Sequence, residues 1–220
     1  MTPRIAFLHT SPVHIATFAG LAAAMAPEFA VTHAVDEALL ADARERGTQD
    51  PALVRRIHQA MAHAAAGGAA AVVCTCSTIG GVAERTPTGG RYTAVRIDRA
   101  MADRAVTLGS EVLVVAALES TLGPTSRLVR ESAEALGRAV EIRQFLVEGA
   151  WAAFLQDDRA SYIAAIASAV RAGHGSSDVI VLAQASMAPA AQALDDLGIP
   201  VLASPALGVQ AVVDRLRRAS

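Results

Sequence analysis

The sequence predicts an α/β protein of two pseudo-symmetric lobes, each a roughly four-stranded parallel sheet flanked by helices. Three observations carry that prediction. Short β-branched runs alternate with long Ala- and Leu-rich stretches, which is the pattern of βαβ units. The runs at 70–75 and 178–183 are apolar without alternation, as expected for strands covered on both faces. The chain also repeats internally. Cys76 and Gln184 each follow one of these runs and lie 108 residues apart, and the same shift puts Ile5 on Leu113, Phe7 on Val115 and Thr93 on Val201.

In order, strands are expected at 4–9, 29–34, 70–75, 93–97, 111–117, 139–146, 178–183 and 200–203. Helices are expected between them at 14–26, 51–66, 98–108, 124–137, 149–155, 159–172, 187–197 and 207–218. The helix at 51–66 carries the plainest signals. Asp50 is an N-cap followed by Pro51 at the first helical position, and Gly67-Gly68 closes the far end. The first lobe is expected over 1–98, with the segment 207–220 packing back on it, and the second over 99–206. A ligand is expected in the cleft between the lobes, at the carboxyl ends of the strands.

Composition narrows the chemistry. The 220 residues are 53% hydrophobic and 18% charged, a globular balance. The net charge is -2, from 19 basic and 21 acidic residues, so no basic stripe exists and nucleic acid is not an expected partner. Every basic residue is Arg and Lys is absent. That excludes a lysine Schiff base, and with it the usual pyridoxal phosphate chemistry, and it excludes a P-loop lysine. Ile5–Leu8 is too short for a signal core or a membrane span, so a cytoplasmic protein without a membrane partner is expected. Cys74 and Cys76 are separated by one residue, where a disulfide would be strained; free thiols suit a reducing compartment. No third and fourth ligand cluster accompanies this pair, so no metal is expected. Gly80-Gly81 and Gly89-Gly90 read as turn glycines and form no dinucleotide-binding pattern.

The strand ends are chemically distinctive. They read His9-Thr10-Ser11-Pro12, Thr75-Cys76-Ser77-Thr78, Glu119-Ser120-Thr121 and Gln184-Ala185-Ser186. Backbone N–H groups at helix N-termini, joined by Ser and Thr hydroxyls, can cradle a carboxylate without a basic side chain.

These loops resemble those of the aspartate/glutamate racemase superfamily, which includes hydantoin racemases, maleate isomerases and arylmalonate decarboxylase. The likeness spans nearly the whole chain through the two-lobe repeat. The superfamily's first loop reads Cys-Asn-Thr, and here it is Cys76-Ser77-Thr78. Its second reads Gly-Cys-Thr, and here it is Ala183-Gln184-Ala185. The resemblance implies no cofactor, a small carboxylate substrate and a homo-oligomer. It makes Cys76 the catalytic thiol, with Gln184, His9 and Glu119 as further catalytic candidates. Ser11, Ser77, Thr78, Thr121, Ala185 and Ser186 are then substrate-binding.

The departure at Gln184 matters. Racemising a centre beside a carboxylate without a cofactor needs one base on each face. Cysteine can serve because a thiol at a helix N-terminus ionises more readily. Glutamine exchanges no proton at useful rates. One-thiol chemistry remains: Cys76 as a nucleophile on an activated double bond, or as the acid that protonates an enediolate after decarboxylation, with Gln184 donating a hydrogen bond to the developing charge. The alternatives are a carboxylate-binding protein without catalysis, or a true racemase with His9 or Glu119 as the second base.

Plainer readings stand beside these. Cys74 reads as a small buried hydrophobe. His9 is a site residue or a satisfied loop histidine, and Glu119 a site carboxylate or a helix cap. His14, His33, His58, His63 and His174 read as surface or helix-packing residues. The hydroxyls at 11, 77, 78, 121 and 186 read equally as N-caps.

Overall fold

The computed structural model describes residues 3–219. The first unit runs to Asp98 and resumes at Pro205; the second is Arg99–Ser204.

In the first unit β1 (Arg4–His9) leads through a short 3-10 turn to α1 (Ile15–Met25) and β2 (Ala30–Val35). Then come α2 (Ala38–Arg46), α3 (Pro51–Ala65), β3 (Ala71–Cys74), α4 (Ser77–Glu84) and β4 (Thr93–Arg96). The four strands form one parallel sheet in the order β2-β1-β3-β4. One face packs on α3 and α4 through Leu8, Leu53, Ile57, Met61, Val72 and Ile79.

The second unit repeats the plan. It contains α5 (Arg99–Leu108), β5 (Glu111–Ala116), α6 (Glu119–Ala135), β6 (Glu141–Leu146), α7 (Ala150–Leu155) and α8 (Arg159–Gly173), followed by β7 (Val179–Leu182), α9 (Ala188–Gln192) and β8 (Val201–Ala203). Its parallel sheet runs β6-β5-β7-β8. Leu113, Val115, Tyr162, Ile166, Val170 and Ile180 are fully buried in its core. The last helix, α10 (Ser204–Ala219), belongs with the first unit. There a Cβ on Gly208 would lie 2.1 Å from the Ile97 carbonyl oxygen, so only glycine permits the approach. Arg217 ties the same helix to Glu28 at 2.7 Å and to the Met25 carbonyl at 2.9 Å.

All eight expected strands form. The fully apolar ones, β3 and β7, are buried at every residue. Helix α3 starts as its sequence dictates: the Asp50 carboxylate accepts from the N–H groups of Ala52 at 3.0 Å and Leu53 at 2.9 Å.

The structure corrects several boundaries. Helix α6 begins at Glu119, not 124, and carries Pro124 inside it. The helix expected at 187–197 is broken into α9 between two 3-10 turns. Helices α2 and α4 were not expected. Gly80 and Gly81 are not in a turn but inside α4, where the Arg96 side chain lies across them, 3.2 Å from a Cβ at 80 and 3.3 Å from one at 81. Tertiary packing there overrides the low helix propensity of glycine.

The repeat also needs refinement. β3 and β7 do lie 108 residues apart. In the sheets, however, Ile5 pairs with Ala71 while Val112 pairs with Val179. Ile5 therefore corresponds to Val112, and Ala94 to Val201 by the same reasoning, an offset of 107. Apolar runs align equally well at either offset; only strand pairing distinguishes them.

Candidate functional site

Two sets of strand ends carry the candidate residues, one in each unit. In the first unit, β3 ends at Cys74 and the chain passes through Thr75 to Cys76, the N-cap of α4. From Ala71 to Gly80 every residue is buried except Cys76, which is half-buried and makes no capping bond through its sulfur. Ser77 and Thr78, the first two residues of α4, are buried at 5% and 4% exposure. Cys74 is fully buried and its thiol donates to the Cys76 carbonyl at 3.7 Å. Burial pushes the Cys74 thiol well above its ordinary pKa, with the neighbouring Cys76 adding to the effect, so Cys74 is a protonated core residue.

His9 ends β1 and is fully buried. Its Nδ1 lies 2.8 Å from Thr75 Oγ1 and its Nε2 lies 2.9 Å from His33 Nδ1. The two imidazoles stack, with centroids 5.2 Å apart and planes 18° apart, and Phe7 and Phe18 flank them. Burial drives the His9 pKa from 6.5 to about 3, with the charges of His33 and then His14 adding to it. His33 is lowered by burial too. His33, expected from sequence as a surface or helix-packing residue, is half-buried on β2, where its place opposite Phe7 puts it beside His9. Among the described residues, no three His, Cys, Asp or Glu side chains are grouped to hold a metal ion.

At the end of β4 lies a pair the sequence reading missed. Arg96 and Asp98 form a two-pronged ion pair, Nε to Oδ1 at 2.7 Å and Nη2 to Oδ2 at 2.9 Å, with exposures of 3% and 0%. Arg96 is register partner to Cys74 and supports α4 through its glycines. The spacing Arg-x-Asp across the end of a strand was the available signal.

In the second unit, Gln184 caps the 3-10 turn that follows β7. It is buried, and its Oε1 accepts from the Ala117 backbone N–H at 2.7 Å. Its Nε2 is buried and has no hydrogen-bond partner among the described residues. Ala185 is buried beside it. Ser186 is half-buried and lies 2.8 Å from the hydroxyl of Tyr162, a fully buried phenol raised to about 12 by burial. Glu119 is the exposed first residue of α6, while Thr121 is buried one turn in. Ser120 Oγ is another buried polar atom without a hydrogen-bond partner among the described residues. The caps are thus Cys76, Leu118 and Gln184, not the hydroxyl residues at 77, 78, 121 and 186. Ser11 does occupy a cap position before the turn at 12–14, but its side chain makes no capping bond.

This α/β plan is shared with solved structures. Glutamate racemase from Francisella tularensis, in complex with D-glutamate, superposes with a TM-score of 0.74 at 12% identity, covering 99% of this chain and 82% of that one. The chain shares the fold of the aspartate/glutamate racemase superfamily. Allantoin racemase from Pseudomonas fluorescens matches with a TM-score of 0.63 at 19% identity, over 98% of this chain and 91% of that one. A mutant of arylmalonate decarboxylase in a sulfate-associated form matches at 0.57 and 17% identity, over 99% and 94%. No protein-family model matches the sequence, and no curated protein matches it. Among the described residues no helix is long and apolar enough to cross a membrane.

Proposed function

We propose that the chain is a cofactor-independent isomerase or lyase that acts on a small carboxylate through one thiol, Cys76. The observation that carries this reading is the exposure pattern of the α4 loop. One half-buried thiol stands at the N-cap of a helix, between residues that are all buried. A filler cysteine has no reason to be the only member of that stretch facing out, whereas a nucleophile or proton donor must be reached. Racemase-fold neighbours, two of them named as racemases and one as a decarboxylase, support this class of chemistry.

In the lyase form of this proposal, the bond from carbon to a departing carboxylate breaks and its electron pair passes into the remaining carboxylate as an enediolate. Carbon dioxide leaves, the Cys76 thiol gives its proton to the carbon, and solvent reprotonates the thiolate. In the isomerase form, the sulfur adds to an activated double bond, the single bond so formed rotates, and the sulfur leaves. Both forms place developing negative charge on a carboxylate oxygen. The unpartnered Nε2–H of Gln184 is suited to stabilise such charge.

A second base is not supported at His9, because both of its ring nitrogens are engaged and it is fully buried. Incubation with a panel of small mono- and dicarboxylates in D2O, followed by proton NMR, tests the proposal. Turnover of one acid, lost in Cys76→Ala, is expected. An acid that binds but is never transformed would make the chain a binding protein instead.

A further inference from the structure

The hydrogen bonds around His9 can be laid in one direction, atom by atom. We assign the Thr75 hydroxyl proton to the Leu8 carbonyl oxygen, 3.2 Å away, which can only accept. Thr75 Oγ1 therefore meets His9 Nδ1, 2.8 Å away, as an acceptor, and Nδ1 carries the ring proton. A neutral imidazole protonated at Nδ1 has an acceptor at Nε2, so His33 Nδ1, 2.9 Å away, donates. The chain reads His33 N–H to His9, His9 N–H to Thr75, and Thr75 O–H to Leu8. It passes through Thr75, the residue immediately before Cys76.

We propose that His33 is a positioning residue for the Cys76 loop: by donating to His9 Nε2 it selects the Nδ1–H tautomer of His9, which holds Thr75 and with it the entry into α4. The link to catalysis rests on Cys76 being the reactive thiol; the tautomer does not. Imidazole in water favours the proton on Nε2, so the opposite tautomer in a buried ring must be imposed by its partners. Thr75, accepting at Nδ1, and His33, donating at Nε2, impose it together, since a ring held at Nε2 by a donor has no other neutral form. The neutrality of the pair agrees with its burial against Phe7 and Phe18. The arrangement accepts one added proton without breaking: a proton on His33 Nε2 leaves every donor in the chain as it was. His9 is thereby a buried strut rather than an acid or base.

Nitrogen-15 NMR of the labelled wild-type protein at neutral pH reads the tautomer directly, and His9 is expected with its proton on Nδ1. Two variants separate positioning from packing. In His33→Asn the side-chain amide keeps a donor near the place of Nδ1, and wild-type behaviour is expected. In His33→Leu the donor is lost, the His9 proton is expected to move to Nε2, and alkylation of Cys76 by iodoacetamide is expected to slow about tenfold, the effect of one lost hydrogen bond. A wild-type His9 protonated on Nε2 would overturn the proposal. So would a His33→Leu protein whose tautomer or Cys76 alkylation rate is unchanged. Failure of Cys76→Ala to alter turnover would instead remove the proposed activity and leave the tautomer result standing.

Discussion

The side-chain carbonyl of Gln184 accepts a hydrogen bond from the backbone N–H of Ala117 at 2.7 Å. An N–H cannot pair with an amide nitrogen, so the contact fixes which way the amide points and commits Nε2 to its unpartnered position. Gln184→Glu keeps an acceptor for Ala117 and replaces the free donor with a second acceptor. Carboxylate binding should weaken by about a hundredfold or more, since a charge-assisted bond gives way to repulsion. Gln184→Ala leaves the Ala117 N–H unpaired and should cost about 1–3 kcal/mol of stability. Calorimetric titration and urea denaturation read the two effects separately; equal binding by wild type and Gln184→Glu would remove Gln184 from the site.

The two cysteines should behave differently. Cys76 should be alkylated by iodoacetamide in the native protein, while Cys74, fully buried, should react only on unfolding. Cys76→Ala should lower turnover by about a thousandfold or more. Cys74→Ala should retain activity and lose roughly 1–3 kcal/mol of stability. Peptide mapping by mass spectrometry shows which thiol was modified, and a reactive Cys74 would shift the motif by two residues.

Protonation should be one-sided. With glutamine in place of the second thiol, a substrate that exchanges its α-proton in D2O should retain configuration. Rapid inversion of either enantiomer of aspartate or glutamate would require a second base. Glu119, exposed at the start of α6, is the residue to test by Glu119→Gln. Chiral chromatography after incubation decides the matter.

Acid should destabilise the fold through His9. Its folded pKa lies near 3 and its ordinary value near 6.5, so between these values the unfolded chain binds more protons than the folded one. The stability contribution is intact above about pH 6.5 and is lost as pH falls through the window, at up to about 1.4 kcal/mol per pH unit for each such group. His33, also lowered, acts with the same sign. His9→Leu should be less stable at pH 7 but should lose less on acidification. Urea midpoints measured from pH 7 to pH 4 test this, and parallel curves for the two proteins would contradict it.

The buried pair of Arg96 and Asp98 should be costly to break. Asp98→Ala leaves a guanidinium inside the first unit and should cost about 3–5 kcal/mol. A loss below about 1 kcal/mol would mean that the other neighbours of Arg96 suffice.

The strands were legible because a strand covered on both faces must be apolar throughout, and β3 and β7 are. Cys76 and Gln184 were legible for the same reason, since each follows such a run directly. What escaped was set by contacts distant in sequence. Helix α4 hides behind two glycines that make sense only once Arg96 is laid across them. The single-residue slip in the repeat vanishes among interchangeable Val and Leu residues until strand partners are known. His33 looked like a surface or helix-packing residue until strand pairing set it opposite Phe7, on the His9 side of β1 and β2. Pairing the two expected strands in parallel would have exposed it.

The first unit is discontinuous, and this conditions its folding. The second unit is one uninterrupted stretch, whereas the first needs α10 from far along the sequence. The first unit waits, with Ile97 uncovered, for the helix whose Gly208 docks there. The second unit can therefore reach its native state without α10, which the first cannot. Released chains truncated before residue 204 should resist brief proteolysis from Arg99 onward while remaining cleavable ahead of it.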